Sequence, residues 1–180
     1  MFNLEVTVKH RHFLCCAFSD SKYKTFYLFF VYAHENVKNV FWQEFTSYIK
    51  SLDLPYVIMG DLNEIKNASE KTGGQMPTMN RFFRLNNFIN DTGLLSLPFY
   101  GSKFTWRKSK DGPNNIHEIL DRALVNADWH KTYDKAIVHH LPFTTSDHCP
   151  IVLELNLDYR SVWCFSSFKY GTWNQCNRKV

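Results

Sequence analysis

Residues 26–33 read Phe-Tyr-Leu-Phe-Phe-Val-Tyr-Ala, an apolar run without a break. The run is far too short to span a bilayer, and it is rich in aromatic side chains. It reads as a β-strand covered on both faces. Such a strand needs something packed on each side, so the chain has to build layers. Tyr56, Val57, Ile58 and Met59 form a second, shorter buried strand. Between the two, Val37, Val40, Phe41, Phe45, Tyr48, Ile49 and Leu52 keep helical spacing and make one apolar stripe. Asn36 stands where it can cap that helix, and Pro55 follows its end.

The remaining segments extend this pattern. Leu4, Val6 and Val8 alternate with Glu5, Thr7 and Lys9, which predicts a strand with one buried face. Residues 12–18 form a further strand, set off by the polar turn Ser19-Asp20-Ser21-Lys22. Thr78 can cap a second helix carrying Met79, Phe82, Phe83, Leu85 and Ile89, with Gly93 placed to end it. Short strands are expected at 94–97, 104–107, 119–125, 136–141 and 151–155, a brief helix at 127–133, and a turn at Asp111-Gly-Pro-Asn-Asn. Beyond Asp158 no period persists. The sequence therefore divides into a domain over 1–157 and a C-terminal tail over 158–180. Its class is α/β (α+β), layered around a sheet.

Composition narrows the function. The 180 residues suit one domain. The apolar share of 44% and charged share of 21% exclude a disordered chain. Lys and Arg number 21 against 17 Asp and Glu. The resulting charge of +4 permits a polyanionic partner without requiring one. Five cysteines at irregular spacing are no disulfide framework and read as a reducing, intracellular setting. The opening residues lack the basic-then-apolar pattern of a signal peptide, and no segment reads as a membrane span.

Three short motifs stand just past buried strands: Gly60-Asp61-Leu62-Asn63, Leu120-Asp121-Arg122 and Ser146-Asp147-His148. Carboxylates at strand ends are held rigidly yet reach water, and several at one rim suit a metal and a phosphate. Asp61 follows a glycine, so the backbone can turn sharply and aim the carboxylate into a cleft. Asn63 offers an amide to a phosphate oxygen. Asp121 lies in an apolar strand, where an unpaired carboxylate is costly. Arg122 points to the other face, so the partner of Asp121 is a histidine or a metal. Adjacent side chains diverge, so Asp147 does not orient His148. Asp121 can do so, fixing the tautomer of a base that works near neutral pH. Each motif also has a plainer reading: turn residues bonding their own backbone, a surface Asp at a strand end, a structural histidine. His139 and His140 split across a strand and take no role.

Taken in order, the motifs are more specific. They comprise Val31-Tyr32-Ala33, Gly60-Asp61-Leu62-Asn63-Glu64-Ile65, Glu70-Lys71-Thr72-Gly73-Gly74, Phe104-Thr105-Trp106, Leu120-Asp121-Arg122-Ala123-Leu124-Val125-Asn126 and Ser146-Asp147-His148-Cys149-Pro150-Ile151. This series resembles the endonuclease/exonuclease/phosphatase superfamily, the deoxyribonuclease I-like proteins. The narrower likeness, carried by the Glu-Lys-x-Gly-Gly and Leu-Asp-Arg-x-Leu-Val-Asn segments, is to the endonuclease domain of plant LINE-type (non-LTR) retrotransposons, which precedes a reverse transcriptase.

The resemblance implies a four-layered α/β/β/α sandwich and Mg²⁺- or Mn²⁺-dependent hydrolysis of DNA phosphodiesters, with the nucleus as a possible location. It implies that Asp61 positions or activates the attacking water, while Asn63 and Tyr32 hold the scissile phosphate. Asp121 would orient His148, acting as base or electrostatic stabiliser. Asp147 would serve the metal, and Thr105 and Ser146 would give supporting contacts. The family's opening strand with its metal-site Asn, and the Glu of a Gln-Glu-Thr-like motif, have no counterpart here, and Glu35 is not expected to replace that Glu. The expectation is thus an N-terminally truncated domain that holds its metal weakly. The alternative is an inactive retroelement fragment, at most a weak nucleic-acid binder.

Overall fold

A computed structural model describes residues 2–20, 25–33, 38–108, 115–157, 160–166, 168–169 and 172–173. Glu35, Asn36 and the turn begun at Asp111 lie outside the described residues.

The chain opens with strands β1 (Phe2–Lys9), β2 (Phe13–Asp20) and β3 (Phe26–Tyr32), then helix α1 (Lys38–Lys50) and strand β4 (Tyr56–Asp61). A 3₁₀ turn (Ala68–Glu70), β5 (Lys71–Thr72), helix α2 (Met79–Thr92), β6 (Leu95–Ser96), β7 (Phe99–Gly101), β8 (Trp106–Lys108) and β9 (Ile116–Glu118) follow. The last elements are β10 (Asp121–Val125), α3 (Ala127–Thr132), β11 (Ile137–His140), β12 (Ile151–Leu157), β13 (Arg160–Ser166), β14 (Phe168–Lys169) and β15 (Thr172–Trp173). One sheet has the order β1-β2-β3-β4-β10-β6, and a second β13-β12-β11-β7. A small third sheet, β5-β9-β8, and the pair β14-β15 complete the set.

The run at 26–33 behaves as its composition requires. β3 lies inside the large sheet, parallel to β4 and antiparallel to β2. Leu28 and Phe30 face the second sheet in a core shared with Val57, Met59, Ala123, Val125, Val138, Ile151, Leu153 and Leu155. Phe29 and Val31 face the helices, in a second core with Phe41, Phe45, Ile49, Leu85, Phe88 and Leu124. The fold is therefore an α/β sandwich, with α1 and α2 on one sheet and the second sheet on its other side. Trp129 of α3 and Tyr133 just after it close one end of the inter-sheet core against Phe26.

Several sequence expectations are corrected. In β1, Leu4 and Val6 are 38% and 42% exposed, because β1 is an edge strand whose apolar side is uncovered among the described residues. In α1, Trp42 rather than Val40 faces the core, and Val40 is exposed. Thr78 precedes α2 in extended conformation but makes no side-chain cap. Gly93 ends that helix in the left-handed conformation, as expected. Met79 and Phe83 are exposed, while Leu85 and Phe88 carry the helix's burial. The strand expected at 119–125 starts only at Asp121, as β10 in the large sheet, and the preceding β9 at 116–118, which was not expected, belongs to the small one. Residues 160–166, read as tail, pair antiparallel with β12. Among the described residues no helix is long and apolar enough to cross a membrane.

Gly60 is required by the packing of β3 on β4. Its φ is +132°, and a Cβ there would stand 2.3 Å from the Val31 carbonyl oxygen. Gly60→Ala should cost about 3 kcal/mol, read as a lower urea midpoint with an unchanged slope.

Candidate active site

The site follows from strand register. Asp121 lies directly opposite Asp61 in the β4–β10 pair, and Tyr32 is level with Asp61 in the β3–β4 pair. Side chains alternate along a strand. Tyr32 therefore continues the face of Leu28 and Phe30, Asp61 that of Val57 and Met59, and Asp121 that of Ala123 and Val125. All three reach the end of the sheet on its inter-sheet side. Both aspartates are buried.

His148 arrives from the segment preceding β12. Residues 105–107 run beside 147–149: Cys149 N–H donates to the Thr105 carbonyl (2.8 Å), Arg107 N–H donates to the Asp147 carbonyl (2.9 Å), and Trp106 bridges to His148. The Thr105 hydroxyl accepts from the backbone N–H groups of Leu120 and Asp121, each at 2.9 Å. Thr105 is fully buried, so it splices the strand of Asp121 to the segment of His148 rather than facing solvent.

His148 Nδ1–H donates to Asp121 Oδ2 at 2.9 Å, and its Nε2 lies 3.9 Å from Asp61 Oδ2. Asn63 closes a small ring on Asp61. Its N–H donates to Oδ1 (2.9 Å) and its Nδ2 to Oδ2 (3.0 Å), with Asn63 itself in the left-handed region at φ 51°. Ser146 Oγ accepts from the His148 N–H at 3.1 Å.

One donor atom from each of Asp61, Asp121 and His148 lies within 4.8 Å of the others. Asp147 is outside this group. It is exposed at the rim, with its carboxylate accepting from the Trp106 indole at 3.1 Å. Magnesium commonly takes one or two protein carboxylates and completes its shell with water and substrate phosphate, so the paired oxygens of Asp61 and Asp121 fit a hard divalent cation.

Burial alone would lower the His148 pKa. The bond to Asp121, and the charges of Asp121, Asp61 and Asp147, override it and push the pKa up to about 9. In the metal-free protein this pKa favours the imidazolium at neutral pH, the form suited to the electrostatic of the two roles expected of His148. Of His139 and His140, it is His140 that lines a cavity with Asp121 and feels its charge. His139 bonds Glu154 across β11–β12, and His140 bonds the Ser102 carbonyl and stacks on Phe99.

Sequence reasoning missed the charged residues behind the site. Glu64, fully buried, accepts from Arg84 Nε, with Arg81 Nε 3.7 Å away. Glu118 takes a two-pronged contact from Arg81 (3.0 and 2.7 Å) and one from Lys71. Burial would raise the Glu118 pKa, but these cations hold it below the usual carboxylate range. Glu70 pairs with Arg122 at 3.1 and 2.8 Å, so the two narrower family segments meet in space. The one available signal was a charge set among apolar neighbours, as in Leu62-Asn63-Glu64-Ile65.

A profile described as Endonuclease-reverse transcriptase matches residues 26–152, a span that holds every residue of this site. The chain belongs to that family. Among solved structures it is similar to the endonuclease domain of TRAS1, a telomere-specific non-LTR retrotransposon. That match has 14% identity and a TM-score of 0.64, over 87% of this chain and 69% of that one. It is also similar to a beta toxin from Staphylococcus aureus, at 16% identity and a TM-score of 0.51, over 79% of this chain and 56% of the toxin. At such identities the likeness establishes the fold, the deoxyribonuclease I-like α/β sandwich. No curated protein is matched.

The electrostatics are directly measurable. The folded His148 pKa of about 9 lies above the ordinary 6.5. The associated stabilisation is thus complete below pH 6.5 and is lost as pH rises through 9. An NMR titration should place His148 near 9, and Asp121→Asn should return it toward 6.5. The stability advantage over His148→Gln, about 3 kcal/mol at most, should decline across the same window.

Proposed function

We propose that this chain hydrolyses DNA phosphodiesters as a metal-dependent endonuclease of the retrotransposon type. The observation that carries this reading is the Asp121–His148 pair set beside the Asp61–Asn63 ring at the rim of the sandwich. The TRAS1 likeness and the family's own description support a nucleic-acid substrate and a reverse-transcriptase context.

The residues divide the work by charge. His148, pinned by Asp121, points Nε2 toward Asp61 and, when protonated, can donate its proton to the leaving oxygen of the scissile phosphate as that P–O bond breaks. That donation is strongest when negative charge has developed on that oxygen. Asp61 is the acceptor for a proton of the attacking water, and Asn63 limits its motion while presenting an amide to phosphate. Tyr32, level with Asp61, lines the same rim. Thr105 and Ser146 hold Asp121 and His148 through their backbones. Asp61 and Asp121 would hold the Mg²⁺ or Mn²⁺, and the exposed Asp147 carboxylate at the rim would serve the same ion. Such an ion supplies charge neutralisation to the phosphate.

Purified chain should nick supercoiled plasmid with Mg²⁺, and EDTA should stop it. His148→Ala and Asp61→Asn should each slow nicking by about 10²- to 10⁴-fold with the fold retained by circular dichroism. Plasmid binding without nicking, for wild type at any Mg²⁺ or Mn²⁺ concentration, would replace this reading with that of an inactive nucleic-acid binder.

A further inference from the structure

The loop carrying Asp61 and Asn63 is held from behind by charges that take no part in the proposed chemistry. Leu62 and Ile65 are fully buried, and so is Glu64 between them. A fully buried carboxylate survives only beside cations that offset its lost hydration. Those cations come from α2. Arg84 Nε donates to Glu64 Oε1, and Arg81 Nε lies 3.7 Å from Oε2. The Glu64 carbonyl accepts from Arg122 Nη2 at 3.3 Å, so the residue is gripped at both its side chain and its backbone.

Glu64 is covalently the neighbour of Asn63, the sole non-glycine residue with positive φ among those described. Asparagine tolerates that region better than most residues, but it still has a cost that its surroundings must cover. In this conformation both the N–H and the side-chain amide of Asn63 turn back onto Asp61. Arg81 extends the grip to the other carboxylate. It binds Glu118 at two points, the Glu118 carbonyl accepts from Thr105 N–H (3.0 Å), and the Thr105 hydroxyl accepts from the Asp121 N–H.

We propose that Glu64, held by Arg84 and Arg81 of α2, is a positioning residue that keeps Asn63 in its left-handed conformation and its amide on Asp61. The site's two carboxylates are thereby registered from the helix side of the sheet as well as by the strand pairing. The kinetic consequence rests on the endonuclease reading; the structural consequence does not.

The test uses the full chain. In Arg84→Gln, the side-chain amide resonances of Asn63 should shift in a ¹⁵N spectrum. Plasmid nicking at saturating DNA should fall about 10- to 100-fold, with KM changed less than about twofold. Loss of the Arg84 charge can unfold the chain, so Glu64→Gln/Arg84→Gln, which leaves no bare buried charge, provides the same two readouts. Wild-type Asn63 resonances in a folded variant would overturn the proposal. If wild-type protein does not nick at all, the endonuclease reading falls and the resonance shift alone still decides this one.

Discussion

The antiparallel register of β4 against β10 is the constraint on which the rest of the site depends. It sets Asp61 opposite Asp121 and continues through Leu62 N–H to the Leu120 carbonyl at 2.9 Å. A strand has a period of two, so a slip of one residue in either strand would send its aspartate to the helix side, among Phe41, Phe45 and Leu85. The register holds because Val57, Met59, Ala123 and Val125 must face one core while Ile58 and Leu124 face the other. Packing that looks purely apolar therefore determines where two carboxylates stand.

Two negative charges held this close repel one another. Here the imidazolium of His148 lies against both, 2.9 Å from Asp121 and 3.9 Å from Asp61. Each group lowers the desolvation cost of the next, which is how a polar cluster persists at the end of an apolar sandwich. The fixed orientation matters as much as the charge. Thr105 and Ser146 bind backbone N–H groups of the strands and loops that carry Asp121 and His148, so little reorganisation is left for the moment when a substrate's charge changes.

Much of this was legible in sequence because it is local or periodic. The unbroken run at 26–33, the aspartate set in the apolar strand at 119–125 and the glycine before Asp61 each carry a physical signal within a few residues. Together they place Asp61 and Asp121 at one rim of a sheet, while Tyr32 is implied only by the family resemblance. The pairing of Asp121 with His148 was legible by elimination, since Arg122 and Asp147 point elsewhere. What escaped was long-range or aperiodic. The small sheet β5-β9-β8 uses strands of two or three residues, too short for any period to show. Glu64 meets Arg84 across 20 residues and Glu118 meets Arg81 across 37, and nothing in either segment names its partner. The burial of Trp42 in place of Val40 reflects a stripe wide enough to admit either, settled only by contact with Phe88 on α2. The cationic state of His148 needed three carboxylates from three segments at once.

The buried position of the Glu64 and Glu118 ion pairs gives the molecule two kinds of electrostatics with different sensitivities to ionic strength. Mobile counterions screen charges that face water over about 10 Å at 0.1 M salt, but do not enter a packed interior. Contacts that an exposed cation such as Lys108 at the end of β8 would make with a polyanion are therefore open to screening, whereas the arginine clamps behind the Asp61 loop are closed to it. A rise in salt should loosen the protein's hold on a charged ligand while leaving the arrangement of its reactive groups as it was.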